Sequence, residues 1–297
     1  MAESGQDPSY AQLTETAVEA ARLGGDVLLH YFRSTDLEVR HKGEQDFVTQ
    51  ADHESEAKVL GLIQGRHPDH HVVAEESGFS AGHGGGGVGG PDGFSWFVDP
   101  LDGTSNFLQG LPMFCVSVAC CHGDDVVAAA VLDPLRDSLF TASKGGGASW
   151  NGQPMRVSKR PSLDGAFLAT GYPFKAHRAL DLYLQVFREI FLQARGIRRC
   201  GSAALDLAFT AAGVYDGFFE FRLSPWDFAA GVLLIREAGG VITDLDGGEG
   251  FFSGGNLLAG PPGVHRQLVS TVGQHVSEAV LDSVEPRRNN PTSAVVE

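Results

Sequence analysis

The stretch WFVDPLDGTSNF, residues 96–107, sets a short apolar run against two carboxylates three positions apart. Trp96, Phe97 and Val98 read as a buried strand bounded by turn residues. Pro100 forces an extended approach at Asp99 and removes one backbone donor. Gly103 permits a tight or left-handed turn. Thr104 and Ser105 can cap a short helix beginning in SNF, with its free N–H groups pointing outward. Two carboxylates hold a hard cation through oxygen, and a helix N-terminus beside them binds an anion. A cation and an anion held side by side describe a site for a phosphate ester.

Working outward, further acids sit at element boundaries. Glu75 and Glu76 close the apolar run of VVAEESG (72–78), Asp227 opens a helix after Trp226, and Asp52 lies in an early helix. Taken singly, Asp52 or Asp227 reads as a helix cap or a solvated acid. As a set, clustered carboxylates repel and raise their own pKa values unless a metal neutralises them.

The elements around these acids follow from periodicity. Leu13, Ala17, Ala20, Leu23, Val27, Leu28 and Tyr31 recur at helical spacing, which predicts a helix over 10–32. HKGEQDFVTQAD (41–52) is polar and turn-rich, and Thr49 with Asp52 forms a T-x-x-D capping box for a helix over about 50–65. HPDHH (67–71) reads as a solvated turn, because its histidine spacing fits no zinc pattern. The segment FSAGHGGGGVGGPDGFS (79–95) lacks the Gly-Lys-Ser/Thr of a phosphate loop and leads into a strand, so it reads as a flexible spacer. VSVACC (116–121), VVAAAVL (126–132), SLFTA (138–142) and ASW (148–150) follow at spacings too short for helices, which predicts a largely antiparallel sheet.

After Asn151-Gly152 the texture changes. FLATG (167–171) and YDGFFEF (215–221) read as strands; 177–195, GSAALDLAFTAAG (201–213) and PWDFAAGVLLIREAGG (225–240) read as helices, the last closed by two glycines. VITDL, LLA and a helix near 262–282 follow. TDLDGGEG (243–250) lacks the ligands of a calcium loop and reads as a turn. The expected organisation is an N-terminal α+β half over 1–152 with most of the candidate metal ligands, a C-terminal α/β half over 153–282 with Asp227, and a frayed tail over 283–297.

Composition bounds the function. A formal net charge of −15 over 297 residues repels phosphate backbones, which argues against a nucleic-acid partner. It leaves room for a small phosphorylated substrate, since a bound cation inverts the local sign. The four cysteines show no C-x-x-C spacing and read as reduced core residues. No window approaches ~18 uninterrupted apolar residues and the N-terminus MAESGQDPSY has no signal-peptide pattern, so a cytoplasmic protein without a membrane partner is expected.

DPLDGTSNF, preceded by AEESG and followed by WDFAAGVLLIREAGG, closely resembles the inositol monophosphatase family of metal-dependent phosphatases, from the first helix to about residue 275. The resemblance implies an α/β (α+β) fold, a layered αβαβα sandwich of the sugar-phosphatase type shared with fructose-1,6-bisphosphatase, with a largely antiparallel first sheet and a mixed second one. It also implies two or three Mg²⁺ ions, a homodimer, lithium inhibition and a small phosphorylated polyol or sugar as substrate. By the same resemblance, Glu75, Asp99 and the Leu101 carbonyl hold a first Mg²⁺. Asp99, Asp102 and Asp227 hold a second, and Asp52 with Glu75 sits near a weaker third. Gly103 and Thr104 match phosphate-binding positions, and Thr104 with Glu75 matches the pair that activates the attacking water. Ala203 and Glu220 match contacts to the substrate hydroxyls, with Asp102 and Asp227 bordering the same substrate.

Ser105-Asn106-Phe107 follows D-G-T as in the inositol phosphatases, where bisphosphate nucleotidases tend to carry Lys. Ser224 stands where many members have His or Arg. Arg198 and Arg199 face a partner, the substrate or the fold; a structural role is the expectation. The leading expectation is a Mg²⁺-dependent phosphatase of inositol monophosphate. The alternatives are a same-fold phosphatase of fructose 1,6-bisphosphate, histidinol phosphate or adenosine 3′,5′-bisphosphate, and a family member that also contacts the transcription machinery.

Overall fold

Ser9 caps the first helix, α1 (Tyr10–Tyr31), which buries Leu13, Ala17, Ala20, Ala21 and Leu28 along one face. A hairpin of β1 (Val39–Gly43) and β2 (Asp46–Thr49) follows. The polar stretch over 41–52 is therefore mostly paired strand, not turn: its alternation is weak, and the pairing supplies what periodicity does not show. Thr49 caps α2 (Gln50–Arg66), whose capping box closes through Asp52 as its spacing predicts. The computed structural model describes residues 8–34, 39–43, 46–80, 93–173 and 180–275, and the glycine-rich spacer and the C-terminal tail lie outside them.

The first sheet is built from β3 (His71–Ala74), β4 (Gly78–Ser80) and β5 (Phe94–Asp102). Beyond the short helix α3 (Thr104–Leu108) it continues through β6 (Cys115–His122), β7 (Asp125–Asp133), β8 (Ser138–Ser143), β9 (Gly147–Trp150) and β10 (Gln153–Pro154). Its order is β10-β9-β8-β7-β6-β5-β3-β4, and β3 with β5 is its parallel pair. The largely antiparallel sheet is as expected, with its last strand at Gln153–Pro154.

The second sheet collects β11 (Phe167–Thr170), β12 (Gly196–Arg198), β13 (Gly217–Glu220), β14 (Val241–Thr243) and β15 (Leu257–Gly260) in the order β12-β11-β13-β15-β14. β11 runs parallel to β12 and β13, and β15 antiparallel to β13 and β14, so the sheet is mixed. The helices among these strands are α4 (Leu180–Phe191), α5 (Ala203–Ala211), α6 (Pro225–Glu237), α7 (Phe251–Gly254) and α8 (Pro262–Gly273).

Three apolar clusters define five layers. On β5, Trp96 and Val98 point to α1 and α2, whereas Phe97 points to α5 and α6, the alternation of a strand buried on both faces. The middle layer, α5 and α6, is packed from both sides, with Ala169, Phe218, Leu257 and Ala259 of the second sheet closing on it. Leu168, Phe219 and Leu258 face the outer pair α4 and α8. This is the αβαβα sandwich.

Cys115, Cys120 and Cys121 are buried free thiols. HPDHH turns at Pro68 and Asp69, both exposed, as expected, but its histidines are not simply solvated. His67 and His70 stack with ring centroids 4.6 Å apart, Trp96 Nε1 donates to His70 Nδ1 at 3.0 Å, and His71 is buried in β3. Imidazole rings offer flat apolar faces as well as charge, and here the faces decide. No described helix is long and apolar enough to cross a membrane.

Candidate active site

Asp99 and Asp102 should face opposite sides of a regular strand, because side chains alternate. A bulge prevents this. Asp99 pairs with Ser117 and Asp102 with Cys115, so three steps on β5 oppose two on β6 and both carboxylates emerge on one face. Pro100, having no N–H, stands where the ladder breaks. Ser55 Oγ of α2 donates to Pro100 O at 2.9 Å and pins the bulge from beneath. Both acids share the face of Phe97, so they point toward the middle helices and the first turn of α6.

Asp99 is 1% exposed, and its Oδ1 accepts from the Leu101 N–H at 3.0 Å. Asp102 Oδ2 accepts from Ser202 Oγ at 2.7 Å and from Ala204 N at 2.8 Å, which ties the first sheet to the start of α5. At the start of α6, Asp227 Oδ2 accepts from the Ser224 N–H at 2.7 Å. Ser224 is thus the N-cap of α6 and is buried. Glu75 follows β3 in a turn held by buried Glu56, whose two oxygens accept from Glu76 N and Ser77 N at 2.9 Å each.

Gly103 has φ +99, and a Cβ there would stand 2.9 Å from Met113 O. The left-handed turn is therefore required, and it starts α3 at Thr104. The Thr104 hydroxyl lies 3.3 Å from Asp52 Oδ1 and 3.1 Å from Leu101 O. Asp52 Oδ2 meanwhile accepts from Thr49 N at 2.9 Å and Thr49 Oγ1 at 2.6 Å.

One cleft of about 200 Å³ is lined by Glu75, Asp99, Leu101, Asp102, Gly103, Thr104, Ala203, Glu220 and Asp227. Of the candidate residues, only Asp52 is off its wall, buried behind Thr104. The cleft also carries Tyr172, Arg199, Ser202 and Arg222, which sequence reasoning did not place there. Arg198 does take the expected structural role, with its guanidinium 4.6 Å from the Phe167 ring centroid, but Arg199 turns to the cleft.

Electrostatics tests whether these residues suit a cation. Burial pushes the Asp99 carboxyl well above the usual range, and the like charges of Glu75, Asp102 and Asp227 push it further. Burial likewise raises Asp102, to about 6, against the hydrogen bonds from Ser202 and Ala204 that lower it. Among the described residues, no three His, Cys, Asp or Glu side chains are already gathered as a closed ligand cage. The fit rests instead on donor chemistry: carboxylate oxygens and a carbonyl around one cleft, with a charge excess that a hard cation relieves.

A layered α/β sandwich with a carboxylate-lined cleft where its two sheets meet the middle helices defines the class, that of the sugar-phosphatase fold. The inositol monophosphatase family profile matches residues 9–278, and the chain belongs to that family. It is 43% identical over 265 residues to the Nus factor SuhB of Salmonella typhimurium, covering 89% of this chain and 97% of that one. The extragenic suppressor protein suhB of Bartonella henselae superposes with a TM-score of 0.83 at 37% identity, over 89% of this chain and 100% of that one. The inositol monophosphatase from Anabaena superposes with a TM-score of 0.78 at 34% identity, over 91% and 98%.

Proposed function

We propose that the chain is a Mg²⁺-dependent phosphomonoesterase that hydrolyses inositol monophosphate to inositol and phosphate. The observation that carries this reading is the bulge that turns Asp99 and Asp102 onto one face beside Glu75 and Asp227. Glu75, Asp99, Asp102, Asp227 and the Leu101 carbonyl would hold two Mg²⁺ ions, with Asp52 and Glu75 near a weaker third. Bound there, Mg²⁺ supplies charge neutralisation for the phosphate and a water of lowered pKa.

The chain's own groups position the rest. Gly103 and Thr104 offer backbone N–H groups at the first turn of α3 to the phosphate oxygens. Thr104 Oγ1, oriented by Asp52 Oδ1 and Leu101 O, accepts from the attacking water, and Glu75 takes its proton. Little covalent chemistry is asked of the protein; placement and charge dominate. Ala203 and Glu220 border the alcohol part. The homodimer implied by the family resemblance, and lithium inhibition, belong to the same proposal.

Phosphate release from inositol 1-phosphate, fructose 1,6-bisphosphate, histidinol phosphate and adenosine 3′,5′-bisphosphate, each with Mg²⁺ and with chelator, tests the reading. Metal-dependent release led by the inositol ester supports it. A preference for another ester keeps the acids and reassigns the substrate.

A second reading is favoured by the name Nus factor carried by relatives at 43% identity. On it, the chain also serves as a binding partner of the transcription machinery. Co-purification of RNA polymerase with an inactive Asp99→Asn chain at physiological salt supports that role, and its absence speaks against it.

A further inference from the structure

The cleft wall carries a cation–aromatic pair that the carboxylate chemistry does not use. The Arg199 guanidinium lies 5.4 Å from the Tyr172 ring centroid, and both side chains line the cleft with Glu220. Tyr172 stands edge-on to the buried Tyr183 at 5.8 Å, so the shelf under the guanidinium has a fixed backing. The chain between β12 and α5 makes room for it. Gly201 has φ +85, and a Cβ there would stand 2.5 Å from Arg199 Nη1. The guanidinium thus lies close over Gly201, whose left-handed backbone favours glycine.

Arg199 shares its surroundings with acids. Its charge acts on Glu220 and on Asp206, a 1% exposed carboxyl behind the wall on α5. Burial and the neighbouring acids push both carboxyls well above the usual range, so this wall disfavours a second anionic group on the substrate. It suits neutral hydroxyls. A guanidinium offers five donors and no acceptor, a carboxylate only acceptors, and a hydroxyl is both. A polyol presented to this wall can accept from Arg199 and donate to Glu220 at once.

We propose that Arg199, seated on Tyr172, is a specificity-determining residue that reads the hydroxyls of the ester's alcohol part together with Glu220. The inference rests on the phosphomonoesterase reading and deepens it: the wall selects hydroxyl-rich alcohols and discriminates against esters without hydroxyls, which gain no hydrogen bonds from it. The planar fork is essential, because lysine provides a point charge that neither stacks nor pairs two oxygens.

The test is steady-state kinetics with Mg²⁺ on inositol 1-phosphate and on p-nitrophenyl phosphate, for the wild type, Arg199→Gln, Arg199→Lys and Tyr172→Leu. The readout is the ratio of kcat/KM for the inositol ester to that for the nitrophenyl ester, which cancels any loss of folded protein. For Arg199→Gln the ratio falls about tenfold or more, mainly through KM of the inositol ester. Arg199→Lys and Tyr172→Leu fall between it and the wild type. A wild type that hydrolyses both esters, with a ratio moved less than about twofold in Arg199→Gln, overturns the inference alone. A wild type that releases no phosphate from the inositol ester overturns the substrate reading, and the inference with it.

Discussion

Thr104 Oγ1 lies 3.3 Å from Asp52 Oδ1, and through this contact the first turn of α2 reaches the first turn of α3. The same hydroxyl lies 3.1 Å from Leu101 O, so one proton is shared between a carboxylate behind the cleft wall and a carbonyl on it. Removing the hydroxyl removes the group oriented toward the attacking water. Thr104→Ala should lower kcat about 100-fold or more while KM changes less, and Thr104→Ser should recover most of the loss. Equal kcat in Thr104→Ala and the wild type would show that the hydroxyl serves the turn alone.

Ser202 Oγ donates to Asp102 Oδ2 at 2.7 Å, across 100 residues of chain. Groups that orient a ligand's lone pairs set metal affinity. Ser202→Ala should raise the Mg²⁺ concentration for half-maximal activity about tenfold, with turnover at saturating Mg²⁺ affected less. A metal titration of both proteins decides the point; superimposable curves would remove Ser202 from the account.

Gly103 is held at φ +99 with Met113 O close behind it. Gly103→Ala should cost about 1–3 kcal/mol of stability from the left-handed backbone, before any displacement of the Met113 carbonyl. Denaturant unfolding with chelator present measures it. A variant as stable as the wild type would mean that the turn relaxes freely.

His265 is buried on α8, with Nε2 2.8 Å from Thr243 Oγ1, and burial holds its imidazole below the usual pKa. A group depressed on folding contributes stability that is full above the unfolded value, about 6.5, and is lost as pH falls through the folded one. Between pH 8 and pH 5 the wild type should therefore lose more stability than His265→Gln. Parallel stability–pH curves for the two proteins would contradict this.

Asp206 Oδ1 is buried without a hydrogen-bond partner, and burial followed by repulsion from Asp102 raises its pKa well above the usual range. A raised carboxyl contributes stability below its unfolded value, about 3.9, that is lost as pH rises through the folded one. Asp206→Asn should accordingly melt higher than the wild type at pH 8 in chelator, with the gap narrowing toward acid pH. A lower melting point at pH 8 would show that the ionised carboxylate is needed.

Much of this site was legible because its parts are local. Asp99, Pro100, Asp102 and Gly103 lie within one turn, and the chemistry of each residue type constrains the backbone around it. The alternation of apolar runs after Val116 likewise disclosed the antiparallel sheet. What stayed hidden was carried by contacts across the chain. Glu56 reads as one more acid on a helix until its oxygens are seen holding the turn after β3. Ser202 reads as part of a small-residue helix start until Asp102 meets it. The β1–β2 hairpin has too weak an alternation to be seen without its pairing. The zinc-ligand spacing by which His67 and His70 are judged in the sequence says nothing of their ring faces, which stack in the fold. Nothing in RRCGSAAL tells which arginine turns inward, so Arg199 reads as structural until the cleft is seen.

The most direct test of the account is Mg²⁺-dependent phosphate release from inositol 1-phosphate by the wild type and Asp99→Asn, side by side at saturating Mg²⁺. Asp99→Asn removes the charge at the centre of the carboxylate set and keeps its shape. The account predicts robust release by the wild type, abolished by chelator, and a loss of at least about 1000-fold in the variant, equivalent to roughly 4 kcal/mol of transition-state stabilisation. Turnover by Asp99→Asn close to that of the wild type would contradict the assignment of the cleft as a metal-dependent phosphatase site.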